Sequence, residues 1–179
     1  MVALLAEPDT LGVADVPEEA ARLALRRASG AVRGYCGWNL LRETASWSDY
    51  GDGGTALYLP TLYLVTVESL SIYGWGALDP SLYSPKRDGR ILLPFLYRTR
   101  GLITVAYTHG YDANSPEMEH IRGIVAGAAT RLVDNPTGRR SQSVGGESWT
   151  LATGPLEDPN STLSSGEKAE LDAYRMPRV

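Results

Sequence analysis

Residues Gly101 to Pro136, GLITVAYTHGYDANSPEMEHIRGIVAGAATRLVDNP, decide the fold, because they encode a strand, a turn and a capped helix in succession. From Leu102 to Tyr107, β-branched, aromatic and small residues alternate in a way that suits a pleated strand. Gly110 and the segment Asp112–Asn114 then interrupt this pattern, since such residues tolerate turn geometries that branched residues do not. The pattern predicts a strand that ends in a turn.

The helix that follows has sequence signals at both ends. Ser115 is a suitable N-cap, and Pro116 suits the first helical position, where a missing N–H leaves no helical hydrogen bond unmade. Asn135 and Pro136 end the helix, since a residue before proline disfavours the α region. Between these signals, apolar residues recur at helical spacing: Met118, Ile121, Ile124, Val125, Ala128, Leu132 and Val133. We predict an amphipathic helix over residues 115–135.

An earlier helix is predicted over residues 15–36. Asp15 is a candidate cap and Pro17 opens the helix, while Glu18 and Glu19 complement its positive N-terminal end. The predicted apolar stripe is rich in alanine, which allows a partner helix to approach closely. It consists of Ala20, Leu23, Ala24, Ala28, Ala31 and Val32.

Residues 41–110 have the composition of an antiparallel β-rich insert. Glycine-rich turn sequences, such as GDGG at residues 51–54, separate the segments of strand composition. These segments are Thr44–Tyr50, Thr55–Leu59, Leu64–Ile72, Arg90–Tyr97 and Gly101–Tyr107. Together with the helices, they predict an α+β fold, in which a small helical bundle of two longer helices and a short C-terminal helix carries the insert. We expect one domain over residues 1–179.

Aromatic residues are concentrated in the insert. The chain has 10 tyrosines and 4 tryptophans beside 1 phenylalanine, and most of them lie between residues 41 and 110. Two interpretations stay open. Either the aromatic residues are half-buried sheet residues whose polar groups reach water, or they form a subunit interface, where tyrosine and tryptophan are enriched.

Residues 137–160 are rich in Gly, Ser and Thr and have little apolar surface to bury, so we predict a flexible arm. Gly145 and Gly146 are expected to form a turn between two short extended pieces. A last helix is predicted over residues 164–175, where Ser164 and Glu167 have capping-box spacing. Since so short a helix is unstable alone in water, we expect it to need a docking partner.

Composition argues against several classes of function. The net charge of −4 disfavours a general nucleic-acid-binding protein. His109 and His120 lack metal-ligand spacing and are expected to be surface or capping residues, and the single Cys36 is expected to be a small buried residue. The N-terminus lacks the basic region of a signal peptide, and no apolar run reaches the roughly 20 residues that span a membrane. We therefore expect no catalysis and no metal site, in a soluble intracellular product.

Several phrases resemble the head–tail connector, or adaptor, proteins of long-tailed bacteriophages. These are VAYTHGYD at residues 105–112, the helix end RLVDNPTG at 131–138 and the polar segment GRRSQSVGGESWTL at 138–151. The insert sequence ALDPSLYSPKRDGRILL and the terminal LSSGEKAELDAYR agree with the same family. The resemblance rests on the order of elements and covers residues 11–175, without a catalytic fingerprint.

The resemblance implies a structural virion protein at the head–tail junction, made in the host bacterial cytoplasm. Its expected partners are the portal protein, a tail-side stopper or tail terminator protein, and further copies of itself in a ring, commonly a dodecamer. Double-stranded DNA would pass through the ring without sequence-specific contact, and no membrane, cofactor or metal is implied. The alternatives are a small β-rich binding module and an uncharacterised hydrolase.

Assembly contacts are expected on the arm and on the last helix. The basic pair at 139 and 140 could form salt-sensitive contacts, while the apolar residues of the arm and helix could bury against a neighbour. The candidate contacts are Arg139, Arg140, Val144, Trp149, Leu151, Leu171 and Tyr174.

Overall fold

A computed structural model describes residues 4–11, 16–51, 53–94, 101–134, 141–144, 147–150 and 162–177. Its α-helices are α1 (Glu18–Cys36), α2 (Pro116–Asp134) and α3 (Ser165–Leu171). Its strands are β1 (Glu43–Tyr50), β2 (Ala56–Tyr58), β3 (Leu64–Ile72), β4 (Gly76–Ala77), β5 (Ser84–Pro85), β6 (Arg90–Leu92), β7 (Leu102–His109), β8 (Ser141–Val144) and β9 (Glu147–Thr150). Short 3-10 helices lie at Pro8–Leu11, Pro80–Leu82 and Asp172–Tyr174. The fold class is α+β, as the sequence predicts.

The chain divides into two compact units. One, called here the helical unit, consists of Met1–Cys36 and Pro116–Arg175; the other, the β unit, consists of Gly37–Ser115 and Met176–Val179. Both units combine described and undescribed residues. The predicted insert therefore corresponds closely to the β unit, while the bundle arrangement of the helices stays a prediction.

Helices α1 and α2 form the core of the helical unit. The predicted stripe of α2 is largely confirmed, because Met118, Ile121 and Val125 are fully buried. The predicted stripe of α1 is partly wrong. Ala24, Ala28 and Val32 are buried, but Leu23 is 58% exposed and the buried positions include Leu25 instead. The physical reason is that two stripes share the same small residues, and the chain buries the side that carries Leu25 and Cys36.

The last helix docks on its own unit. Ser164 and Glu167 form the predicted capping box: the Ser164 hydroxyl accepts a hydrogen bond from the Glu167 N–H, and the Glu167 carboxylate accepts one from the Ser164 N–H. The Glu167 carboxylate also pairs with the Arg131 guanidinium of α2 at 2.6 Å. Leu171 is 0% exposed and Leu163 is buried. The docking partner expected for this short helix is therefore found within the same chain.

The β unit is organised around a four-stranded antiparallel sheet of order β1-β7-β3-β4. β7 pairs with β1 in unbroken register from Tyr50↔Leu102 to Glu43↔His109. Its pairing with β3 has two register shifts. A three-stranded sheet of order β2-β6-β5 supplies further residues to the core of the same unit. The central members of this core are Leu70, Ile72, Ile91, Ile103, Val105 and Tyr107.

The ends of the predicted strands agree with the structure to within one residue, except at the C-terminal ends of β6 and β7. β7 continues to His109 rather than ending at Tyr107, because the alternation of buried and half-exposed positions continues through Thr108. β6 ends at Leu92, whereas a strand was predicted up to Tyr97; Pro94 has no N–H to donate to a ladder, and residues 95–97 lie outside the described residues. The two-residue strands β4 and β5 are not predicted from the sequence.

The arm contains the two extended pieces that its sequence predicts. β8 and β9 pair with each other, from Ser141↔Thr150 to Val144↔Glu147, in a two-stranded sheet of their own. The flexibility of the arm stays a prediction, and the turn residues between the strands lie outside the described residues.

Gly110 gives the first testable prediction. Its φ is +92°, and an added Cβ would lie 2.6 Å from the backbone carbonyl of Leu41. Gly110→Ala is therefore expected to lower the free energy of unfolding by roughly 1–3 kcal/mol, through backbone strain and crowding. Gly123→Ala in α2 is the matched control, since no heavy atom lies within 4 Å of its added Cβ. Urea unfolding of both variants measures the difference, and equal stabilities would contradict the prediction.

A second prediction concerns the docking of α3. Leu171→Ala is expected to destabilise the protein by about 2–5 kcal/mol, because it removes a fully buried side chain. Leu23→Ala is the control, because Leu23 is exposed on α1; its effect is expected to stay within about 0.5 kcal/mol. Urea unfolding measures both. A change for Leu171→Ala as small as that of the control would show that α3 is not part of the folded subunit's core.

Candidate functional site: the surfaces of the β unit

The described residues contain no group of three or more His, Cys, Asp or Glu side chains that could hold a metal ion. None of the described helices is both long enough and apolar enough to cross a membrane. Cys36 is buried, as its sequence context predicts, and burial raises the pKa of its thiol to about 11. The thiol is therefore protonated at neutral pH and unsuited to act as a nucleophile.

His109 is one of three buried polar or charged side chains among the described residues, with Ser29 and Thr61. It is 3% exposed, so its predicted place at the surface or at a cap is wrong. The alternation along β7 puts it on the same face as Ile103, Val105 and Tyr107. That alternation is visible in the sequence, and extending the predicted strand by two residues would have found the burial.

Two polar partners and two aromatic rings surround His109. Its Nδ1 lies 3.2 Å from the Thr61 hydroxyl, and either atom can donate the hydrogen bond. Its Nε2 lies 3.6 Å from a Glu43 carboxylate oxygen. The rings of Tyr107 and Trp38 lie 5.1 and 6.1 Å away between centroids. Burial lowers the pKa of His109, and the nearby Glu43 carboxylate opposes that effect without overcoming it.

The hydroxyl, imidazole and carboxylate of Thr61, His109 and Glu43 superficially form a nucleophile–base–acid series. Thr61, however, is only 1% exposed. A substrate could not reach its hydroxyl without unfolding the sheet end, so this group of residues has a structural role. It fixes the end of β7 beside the loop that contains Thr61.

The outer face of the four-stranded sheet is lined with small hydroxyl residues. On β1 and β7, paired positions bring Thr44 beside Thr108 and Ser48 beside Thr104, with side-chain hydrogen bonds of 3.0 and 3.1 Å. Glu68 on β3 is a charged group at the edge of this face, and the Thr108 hydroxyl donates to it at 2.5 Å. This face is polar and carries few charges, which suits contact with another ordered surface more than catalysis.

One end of the same sheet carries exposed aromatic residues. Tyr50 pairs with Leu102 across β1 and β7, and the Tyr73 N–H donates to the Leu102 carbonyl at 2.8 Å. Tyr73 is 80% exposed, and Trp75, in the turn between β3 and β4, is 55% exposed. We call Tyr50, Tyr73, Trp75 and Leu102 the aromatic end. Tyr83 and Tyr107 are instead buried, so they are not the half-buried residues that one interpretation expects. The interface interpretation of the exposed aromatic residues stays a prediction.

An open depression of about 550 Å³ lies between α2 and α3 in the helical unit. His120 lies on its wall, 3.5 Å from Glu170, and its side chain is exposed, as expected from the sequence. Glu119 and Glu167 also line it, and Glu167 is already held by Ser164 and Arg131. The depression is acidic and shallow, and its polar groups serve to dock α3.

The candidate assembly contacts are distributed unevenly in the structure. Arg139, Arg140 and Leu151 lie outside the described residues. Val144 and Trp149 lie on β8 and β9. Leu171 is buried within the helical unit, so an assembly contact through it would require α3 to leave its present position. Tyr174 is partly exposed, and its ring lies 6.2 Å from that of His120. The assembly role of these residues stays a prediction.

Comparison with known proteins shows a similarity of fold but none of sequence family. No family model and no curated protein matches the sequence. Among solved structures, the chain is similar to a chain in the structure described as "Virion of native gene transfer agent (GTA) particle". The similarity covers 96% of this chain and 88% of that chain, with a TM-score of 0.56 and 16% sequence identity. At this identity the comparison shows a shared fold.

A third prediction follows from the burial of His109. Because its pKa is lowered from 6.5, the unfolded chain binds the proton more readily than the folded chain. The stabilising contribution is therefore complete above about pH 6.5 and is lost as the pH falls towards the lower pKa of the folded state. The melting temperature, measured from pH 8 to pH 5, should begin to fall as the pH drops below 6.5. The decrease in melting temperature per pH unit should be smaller in His109→Gln.

His120→Gln is the control for this measurement, because His120 is exposed on α2. It should retain the slope of the parent protein. Parallel curves for the parent and His109→Gln would show that His109 does not cause the acid sensitivity, whatever their difference at pH 8.

Proposed function

We propose that this chain is a structural virion protein, and more specifically the subunit of a head–tail adaptor ring. The observation that carries the proposal is the likeness of fold, over 96% of the chain, to a component of a virion structure. The resemblance of the sequence to bacteriophage connector proteins supports the same conclusion independently, since it rests on turn phrases and the order of elements. No catalysis is part of this function.

The proposed role is geometric. Head-to-tail contacts between identical subunits close a ring when the rotation between neighbours divides a full turn. A ring of this kind joins the portal to a tail-side stopper or tail terminator protein and leaves a channel for double-stranded DNA. We expect twelve subunits, as is common in the family that the sequence resembles. A protein of net charge −4 suits a channel through which DNA moves without being held.

The aromatic end supports contact with a further protein above or below the ring. Tyr73 and Trp75 expose large rigid side chains beside Gly74 and Gly76, and such residues often contribute much of the energy of an interface. The same exposed rings favour one alternative, a β-rich module that binds sugars by stacking. Titration with oligosaccharides while tryptophan fluorescence is recorded would distinguish the two, since an adaptor should show no saturable change.

The mass of the assembly tests the proposed function. Native mass spectrometry of the purified chain, alone and with its portal protein, should reveal a closed multimer that binds portal. The Tyr73→Ala, Trp75→Ala double variant should weaken binding to the portal or to the tail-side protein by at least about tenfold. The ring itself should persist in this variant.

Tyr58→Ala is the matched control, because Tyr58 is an exposed tyrosine on β2, outside the four-stranded sheet. Its binding should equal that of the parent chain. The proposed function would be wrong if the parent stayed monomeric at micromolar concentration in the presence of both portal and tail-side proteins.

A further inference from the structure

The outer edge of β1 is open in the described structure. β1 is the terminal strand of its sheet, and among the described residues only β7 pairs with it. The Gly51 N–H donates to the Gly101 carbonyl, which continues the β1–β7 register and shows which residues face β7. Because the direction of N–H groups alternates along a strand, Ala45 and Trp47 bond to β7, while Thr44, Ser46 and Ser48 direct their N–H and carbonyl groups outwards.

This edge lacks most of the features that usually prevent a strand from pairing with another chain. Natural sheets protect their edges with proline, charged side chains (lysine above all), bulges or very short strands. β1 is eight residues long and has the acidic Glu43 and Asp49 near its ends, but it has neither proline nor lysine, and its register with β7 has no bulge. The opposite edge of the sheet is different, since β3 has two register shifts and β4 is only two residues long. β1 is therefore the edge that remains competent for pairing.

The β8–β9 hairpin has the complementary deficiency. Among the described strands it pairs with no third strand, and an isolated two-stranded hairpin is at best marginally stable in water. A third strand would supply hydrogen-bond partners for one of its edges. β1 could supply this third strand, and the hairpin could pair with the open edge of β1.

β1 itself has two distinct faces. Thr44, Ser46 and Ser48 lie on its outer face, and Ala45 and Trp47 lie on the side that packs against the core. A strand added at the outer edge of β1 would extend both faces of the sheet.

We propose that the outer edge of β1 receives the β8–β9 hairpin of a second copy of this chain, which extends the sheet from one subunit into the next. This inference rests on the proposed ring and identifies one contact that closes it. A contact of this type is heterologous, because an edge on one subunit meets a hairpin on another, and such contacts generate rings when the rotation closes.

A proline at position 46 tests the edge selectively. The Ser46 N–H points away from β7, so Ser46→Pro removes an outward donor while leaving the β1–β7 hydrogen bonds in place. Ser46→Pro should retain the melting temperature of the monomer but require at least about tenfold higher concentration to form the ring. Ser46→Ala is the control, because it removes the hydroxyl but keeps the N–H, and it should assemble normally.

A hairpin peptide tests the occupant without requiring a ring. A synthetic peptide of residues 139–152 is added to the full chain, and a scrambled peptide is the control. Amide exchange followed by NMR should slow at least about tenfold at Thr44, Ser46 and Ser48. The amides of Ala45 and Trp47, which already bond to β7, should not change.

The two experiments distinguish this inference from the proposed function. Normal ring formation by Ser46→Pro would overturn the inference and leave the adaptor function standing. Protection of β1 in the ring without protection by the peptide would show that another strand occupies the edge, and would also overturn it. Protection by the peptide in a chain that never forms a ring would support the hairpin contact and contradict the adaptor function.

Discussion

The pairing of β7 on both of its sides is the interaction on which the β unit depends. β7 lies between β1 and β3, and its buried residues Ile103, Val105 and Tyr107 form the centre of the core. Its end is held by the buried His109 and by Gly110, whose positive φ allows the chain to pass close to Leu41. Because both strand pairings share these residues, a one-residue change of register in β7 would move its buried side chains to the outer face.

The two faces of the sheet differ in composition. The inner face packs apolar residues, whereas Ser and Thr hydroxyls on the outer face bond to one another across β1 and β7. Short hydroxyl side chains lose little conformational entropy when a partner covers them. Burial of an outer face of this composition in an assembly therefore costs little side-chain entropy. In a free subunit the same hydroxyl groups stay hydrated.

Much of this architecture could be predicted from the sequence, because the local signals agree with the fold. Pro116 at the start of α2 and the capping box at Ser164 and Glu167 fix helix boundaries with little help from tertiary contacts. The face of α1 could not be predicted in the same way, since alanines at 20, 21, 24 and 28 allow two stripes and only packing against the rest of the helical unit selects Leu25. The candidate surfaces were harder still. The concentration of aromatics was visible, but which of them are exposed at one sheet end depends on strand pairing between distant residues, such as Tyr50 with Leu102.

The order of the two units along the chain has a consequence for biosynthesis. Apart from Met176–Val179, the β unit is one continuous segment from Gly37 to Ser115, whereas the helical unit is built from segments on either side of that segment. A ribosome therefore synthesises every strand of the four-stranded sheet before it makes α2, and α1 has no partner helix during that interval. Since chains begin to fold during synthesis, the sheet can form first, and α1, with its fully buried Leu25, must remain unpaired until the second half of the helical unit emerges.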